Sequence, residues 1–264
     1  MYARCGYVID ANTFFKQMYR PSVIAWTTMI HANVQANLTQ NACSLFEKMI
    51  QEGVKPDDVT YVTVIKACTS LGSFHFGLWI HEKIIRHGYE ANMFLGSALI
   101  DMYSKCQCIE DARAWFHTMP TGNVVSWTAI IGGYVQVGKG QEALDLFGKM
   151  QQTSVKPNAF TFMSALNACA MIGAIEEGKE VHFYVLDVGL ELDAFVGSAL
   201  IDMYSKSGSL IDARQLLKTS NKNVACWSAM IAGYALYGDG EEVLRLANQM
   251  QEEGIPLNHV TFIH

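Results

Sequence analysis

Cysteine and histidine are the residues through which this chain would do covalent or metal chemistry, and their spacing argues against both. Cys106 and Cys108 form a lone C-x-C among seven scattered cysteines. No second pair stands at zinc-ligand spacing, and the same two places 101 residues later hold Ser207 and Ser209. Cys68 and Cys169 share a place inside apolar helical stretches, where a small reduced core residue is expected. The eight histidines are dispersed, and His81 and His182 lie at equivalent places with no ligand set around them. What recurs is milder. Thr27, Ser97, Thr128, Ser198 and Ser228 recur at one place on largely apolar stretches. A hydroxyl is one donor and two acceptors, so such a series suits recognition through hydrogen bonds. The same hydroxyls can instead bond back to a carbonyl one helical turn earlier.

These residues recur because the chain is a tandem array. Gly96-Ser-Ala-Leu-Ile-Asp-Met-Tyr-Ser-Lys105 returns unchanged as Gly197 to Lys206, and the end of the phrase is echoed in Met1-Tyr-Ala-Arg-Cys-Gly6. The 101-residue period subdivides, with Trp26, Trp127 and Trp227 marking one kind of unit. Boundaries are expected at 1–22, 23–57, 58–92, 93–123, 124–158, 159–193, 194–223, 224–258 and 259–264. The first and last of these are partial, so the chain is expected to be a piece of a longer protein with frayed, apolar ends.

Each unit reads as two helices. The second carries apolar residues at a period of 3.6, as in Ile109, Ala112, Phe116 and Met119. The first is apolar on more of its circumference, as in Leu99, Ile100, Met102 and Tyr103, which marks a helix sandwiched between neighbours. Asn37, Gly72, Gly138, Gly173, Gly208 and Gly238 fall where a left-handed residue ends the first helix. Gln107 holds that place in its unit and is expected to use another turn. Gly53, Gly88, Gly189 and Gly254 stop the second helix, and Lys-Pro at 55–56 and 156–157 prevents continuation. Helix, turn, helix, turn without strands predicts an all-α solenoid whose first helices line one face.

Composition narrows the function. Half the residues are hydrophobic and 17% are charged, against about 25% in an average domain. A net charge of −6 excludes a generally basic nucleic-acid binder. A polyanion would have to be met by local cations. No run of about 20 apolar residues offers a membrane span, and the first residues read as neither a signal nor a transit peptide.

The units resemble those of the pentatricopeptide repeat family, in the plant subclass that alternates P, L and S units. The resemblance rests on Val124-Val-Ser-Trp-Thr-Ala-Ile-Ile with Glu142-Ala-Leu-Asp-Leu-Phe-Gly-Lys-Met and Val155-Lys-Pro-Asn. It rests also on Gly173-Ala-Ile-Glu-Glu-Gly-Lys-Glu-Val-His182, Phe195-Val-Gly-Ser-Ala-Leu-Ile-Asp-Met-Tyr and Asp212-Ala-Arg, and it covers the whole chain. The Trp-x-x-Leu-Gly-x-x-Tyr pattern of the tetratricopeptide repeat is absent. By this resemblance 23–57, 124–158 and 224–258 are P units, 58–92 and 159–193 are L, and 93–123 and 194–223 are S. The pieces 1–22 and 259–264 are a partial S and a partial L. The implied fold is a right-handed superhelix of helix-turn-helix repeats.

The resemblance implies binding of single-stranded RNA, one base per unit, by the fifth and last residues of the unit. Thr27 with Asp57 would favour guanine. Ser97 with Asn123, Thr128 with Asn158, Ser198 with Asn223 and Ser228 with Asn258 would favour adenine. Val62 with Asn92 and Met163 with Asp193 have an apolar fifth residue and weak or no readout. The implied target is 5′-GNAANAA-3′. Base-packing residues would be Ile24, Val59, Phe94, Val125, Phe160, Phe195 and Ala225, with Phe94 and Phe195 open to a plain core role as well. Lys105 and Lys206, with Arg4 at the same place, would contact phosphates or simply complement the helix dipole. Asp57, Asn158 and Asn258 are equally suited to capping the next helix.

Members of this subclass often end in a cytidine-deaminase-like domain, which implies organellar RNA editing or processing, in mitochondrion or chloroplast. No His-x-Glu followed by Pro-Cys-x-x-Cys occurs here, so this chain is expected to be neither an enzyme nor a holder of metal or other cofactors. Editing cofactor proteins are possible partners through the L units. The competing reading is a protein-binding scaffold without RNA readout.

Overall fold

The computed structural model describes residues 8–119, 122–219 and 222–257. Among them lie fifteen helices and no strand. A single helix, α1 (Val8–Lys16), comes first, and the rest form pairs. These are α2 (Val23–Gln35) with α3 (Thr39–Gln51), α4 (Asp58–Leu71) with α5 (Phe74–Arg86), and α6 (Met93–Lys105) with α7 (Ile109–Thr118). Then come α8 (Val124–Gln136) with α9 (Gly140–Gln151), and α10 (Ala159–Ile172) with α11 (Ile175–Val188). The last are α12 (Ala194–Lys206) with α13 (Leu210–Thr219), and α14 (Val224–Leu236) with α15 (Gly240–Glu252).

The chain divides into two compact units, Met1–Gly133 and Tyr134–His264. In the first, α2, α4 and α6 pack in succession, while α3 and α5 each touch their own partner and the first helix of the next pair. In the second, α10, α12 and α14 pack in succession, with α11 and α13 wedged in the same way. The sequence explains the division of labour. α4 has neighbours on several sides and buries Tyr61, Val64, Ile65, Ala67 and Cys68. α3 has them on one side and buries the stripe Ala42, Cys43, Phe46 and Met49. Edge-on ring pairs tie the layers in the first unit, Phe15 on Trp26 and Phe116 on Trp127, both with centroids 4.7 Å apart.

The turns close as helix ends require. Gly72 and Gly173 take φ of 62° and 68°, a conformation that costs glycine nothing. Gln107 overturns its expectation, because it too is left-handed, with φ of 64°. Its N–H donates to Ser104 O at 3.0 Å and the N–H of Cys108 to Tyr103 O at 2.9 Å. Asn37 is closed by the same bond pattern. Two carbonyls that would otherwise lack partners outweigh the roughly 1 kcal/mol of side-chain strain.

Two glycines are required by packing. A Cβ on Gly133 would stand 2.6 Å from Ser104 Cβ, and one on Gly233 would stand 2.4 Å from Ser205 Cβ. The first helices therefore approach closely at these points, which no turn signal announces.

The histidines at equivalent places are packing groups. His81 Nδ1 lies 2.6 Å from the Tyr103 hydroxyl, and His182 Nδ1 lies 3.0 Å from that of Tyr204. Trp115 covers the His81 ring edge-on at 4.4 Å. Burial lowers both imidazoles below their ordinary 6.5, while Asp111 and Asp212 pull the other way with less effect. The folded chain thus refuses protons that the unfolded chain accepts near 6.5, and stability falls as pH drops below that value. The urea midpoint is expected to be lower at pH 5.5 than at pH 7.5. In His81→Gln/His182→Gln the dependence should flatten; an unchanged slope would assign it elsewhere.

Candidate nucleic-acid interface

The first helix of every pair begins alike. A capping residue precedes it, its second residue is apolar, and its fifth is a hydroxyl or an apolar side chain. The second residues are Ile24, Val59, Phe94, Val125, Phe160, Phe195 and Ala225, and all are exposed. The six large ones range from 57% exposed at Val125 to 76% at Ile24 and Phe94. Phe94 and Phe195 are therefore not core residues. Large apolar side chains held in water at one repeated place, on helices that bury most of their other apolar residues, mark a contact surface.

The fifth residues are more enclosed. Four of the hydroxyls donate to a carbonyl about one turn back: Ser97 to Met93 O, Thr128 to Val124 O, Ser198 to Phe195 O and Ser228 to Val224 O, at 2.7–2.8 Å, while Thr27 Oγ1 lies 2.9 Å from Val23 O and 2.6 Å from Thr60 Oγ1. Ser97 is 3% exposed and Ser228 9%. Each hydroxyl keeps lone pairs, but its proton is already engaged. Val62 and Met163, at the same place in α4 and α10, are half-buried.

The residues before the first helices are caps. Asp57 accepts from Thr60 N at 2.8 Å, Asn92 from Leu95 N at 3.1 Å and Asn123 from Ser126 N at 2.9 Å. Asn158 accepts from Thr161 N at 3.0 Å, Asp193 from Val196 N at 3.0 Å and Asn223 from Cys226 N at 2.9 Å. Each such cap is worth about 1 kcal/mol. Asn258 and Arg4 lie outside the described residues.

Within the first unit the fifth residue of one pair meets the cap of the next. Ser97 Oγ is 3.4 Å from Asn123 Oδ1. Thr27 reaches Asp57 through Thr60, whose hydroxyl is 2.6 Å from each. In the second unit, Asn223 Nδ2 donates to Ala194 O at 3.2 Å, four residues before Ser198 on the same helix. Thr128 belongs to the first unit and Asn158 to the second. Sequence reasoning missed Thr60, Ser126 and Thr161. Their signal was present as Asp or Asn followed three residues later by Ser or Thr, the spacing of a capping pair.

The cations are already paired. Lys105 bridges Asp101 at 2.9 Å and Lys206 bridges Asp202 at 2.8 Å, all one turn apart on α6 and α12. Both lysines are about half exposed, so a phosphate would share them with a carboxylate. The buried thiols offer no nucleophile, since burial pushes Cys43 up to about 11 and Cys68 and Cys169 up to about 12. Among the described residues no three of His, Cys, Asp or Glu are grouped to hold a metal ion, and no helix is long and apolar enough to cross a membrane.

Paired helices in succession, with one exposed apolar residue and one polar cap per pair, define a helical-repeat binding protein. The PPR repeat family profile matches residues 21–70 and 122–171, and the PPR repeat profile matches 59–89, 97–124, 198–219 and 225–255. The chain belongs to the pentatricopeptide repeat family. It is 37% identical over 264 residues to a chloroplastic pentatricopeptide repeat-containing protein of Arabidopsis thaliana, covering 100% of this chain and 33% of that relative. It is 35% identical over 284 residues to a mitochondrial one of the same plant, covering 100% and 31%. The chain thus spans about a third of the length of these relatives. Its fold matches the pentatricopeptide repeat protein PPR10 in complex with an 18-nt psaJ RNA element. That match has a TM-score of 0.80 at 21% identity and covers 97% of this chain and 39% of the other. PPR10 from maize matches with a TM-score of 0.71 at 24% identity, over 98% and 39%.

Proposed function

We propose that this chain is the sequence-selective tract of a single-stranded-RNA-binding protein, reading one base per helix pair, with 5′-GNAANAA-3′ as its target. The carrying observation is the exposed apolar second residue of every first helix, from Ile24 to Phe195, each with a polar cap and, in five of seven, a hydroxyl nearby. A base offers a flat apolar face and a hydrogen-bonding edge, and this set supplies a partner for each. That a solved member of the family is held with RNA supports the reading.

In this reading the pairs are Thr27 with Asp57, Ser97 with Asn123, Thr128 with Asn158, Ser198 with Asn223 and Ser228 with Asn258, in P and S units of a P-L-S array. Lys105 and Lys206 meet phosphates. The whole protein acts in organellar RNA editing or processing, as the chloroplastic and mitochondrial names of its relatives suggest. A second reading has one observation in its favour: α11 exposes Phe183 and Leu186 three residues apart on one side, an apolar spot suited to an editing cofactor protein or another protein partner.

Fluorescence anisotropy with the A-rich oligonucleotide and a scrambled one separates the two. The RNA reading expects tenfold or greater preference for the first, with affinity falling as salt rises. Equal, negligible binding of both would leave the protein scaffold.

A further inference from the structure

Thr27 and Asp57 do not touch; Thr60, the third residue of α4, stands between them. It is fully buried, and its hydroxyl oxygen lies 2.6 Å from Asp57 Oδ1 and 2.6 Å from Thr27 Oγ1. Resting on the RNA-reading proposal, we infer that Thr60 is a specificity-setting residue. It fixes the hydrogen-bonding polarity of the Thr27–Asp57 site so that the site only accepts, and selects a base edge with two neighbouring donors.

The count of available protons fixes this polarity. A carboxylate has no proton to give, so the Thr60 hydroxyl donates to Asp57. Only the Thr27 proton then remains for the 2.6 Å contact between the two threonine oxygens. Without it, two oxygens would face each other lone pair to lone pair. The Val23 carbonyl competes for that proton from 2.9 Å, and the shorter contact takes it. Thr27 is left with lone pairs alone for a ligand. Asp57 receives both the N–H and the O–H of Thr60 on Oδ1, at 2.8 and 2.6 Å, which leaves Oδ2 uncommitted and also an acceptor. Among the four bases, guanine carries two adjacent donors, N1–H and N2–H2, on its Watson–Crick edge. Adenine, cytosine and uracil present a donor beside an acceptor.

The next hydroxyl cap is wired differently. Ser126, the third residue of α8, accepts from Asn123 N at 2.9 Å and donates to Asn123 O at 2.9 Å, so its hydroxyl closes on the backbone. Asn123 Oδ1 takes Ser126 N–H at 2.9 Å, which fixes the amide orientation and leaves its N–H2 as a donor. That site mixes donor and acceptor, the pattern that suits adenine.

The test measures Kd for four oligonucleotides that differ only in the first letter of the target, for wild type, Thr60→Val, Thr60→Ser and Thr60→Cys. Position 226, third in α14, holds cysteine in this chain, so Thr60→Cys is the folded fallback if Thr60→Val unfolds. Wild type is expected to prefer G over A by about tenfold, the scale of one well-made base-edge contact. In Thr60→Val and Thr60→Cys the preference should fall to about twofold or less, and Thr60→Ser should restore it. The A preference at the third letter, read by Ser97 and Asn123, should stay as in wild type throughout. A full G preference in both Thr60→Val and Thr60→Cys overturns the inference alone, as does selectivity at the third letter with none at the first in wild type. Failure of wild type to bind any of the RNAs overturns the RNA reading, and this inference with it.

Discussion

Replacing Phe94, Phe160 and Phe195 together with serine is expected to weaken binding of the A-rich oligonucleotide at least a hundredfold while leaving the thermal unfolding midpoint where it was. Stacking a base on an aromatic side chain is worth about 1–3 kcal/mol. Three such losses at the low end come to about 3 kcal/mol, and 1.4 kcal/mol is a factor of ten, which sets the hundredfold floor. The stability half of the prediction follows from exposure. All three rings are between 65% and 76% exposed, so little apolar burial is lost on truncation. Anisotropy titration and a melt on the same preparation check both halves. A drop in the midpoint with unchanged affinity would make these rings packing residues and remove the base-facing surface from the proposal.

The opposite profile is expected for Trp227→Ala: a loss of about 3–5 kcal/mol in unfolding free energy, the usual cost of deleting a fully buried tryptophan. Trp227 is 0% exposed on α14, between Cys226 and Ser228, which are also buried. Its indole Nε1 is buried with no hydrogen-bond partner. That N–H contributes a cost rather than a gain, so Trp227→Phe should recover more than half of what Trp227→Ala loses. Urea denaturation at constant slope measures both variants. Equal losses in the two would mean the indole N–H holds a partner after all.

The two experiments divide the first helices by side chain. On α14, Ala225 meets water while Trp227, two residues on, is sealed. Both look alike in an apolar string such as Val224-Ala-Cys-Trp-Ser-Ala-Met-Ile. A helix apolar on most of its circumference carries almost no information about which side faces a neighbour, because hydrophobic periodicity is flat there. The second helices are different. α3 and α15 bury narrow stripes, and their periodicity can be read directly.

Repeat, helix and turn were determined by the sequence alone, for local reasons. The ten-residue phrase marks the array, the 3.6 period marks the helices, and glycine at positions such as 72 and 173 supplies a backbone conformation that other residues adopt at a cost. Where closing a helix end outweighs a residue's own preference, residue type misleads: Gln107 takes the left-handed turn because the Ser104 and Tyr103 carbonyls need partners. The tertiary structure alone decided the rest. It put Phe94 in water, paired His81 with Tyr103, and placed Thr60 between Thr27 and Asp57. Each of these depends on which neighbour occupies which side of a helix, and that is a sum over contacts distant in the chain, which no local pattern records.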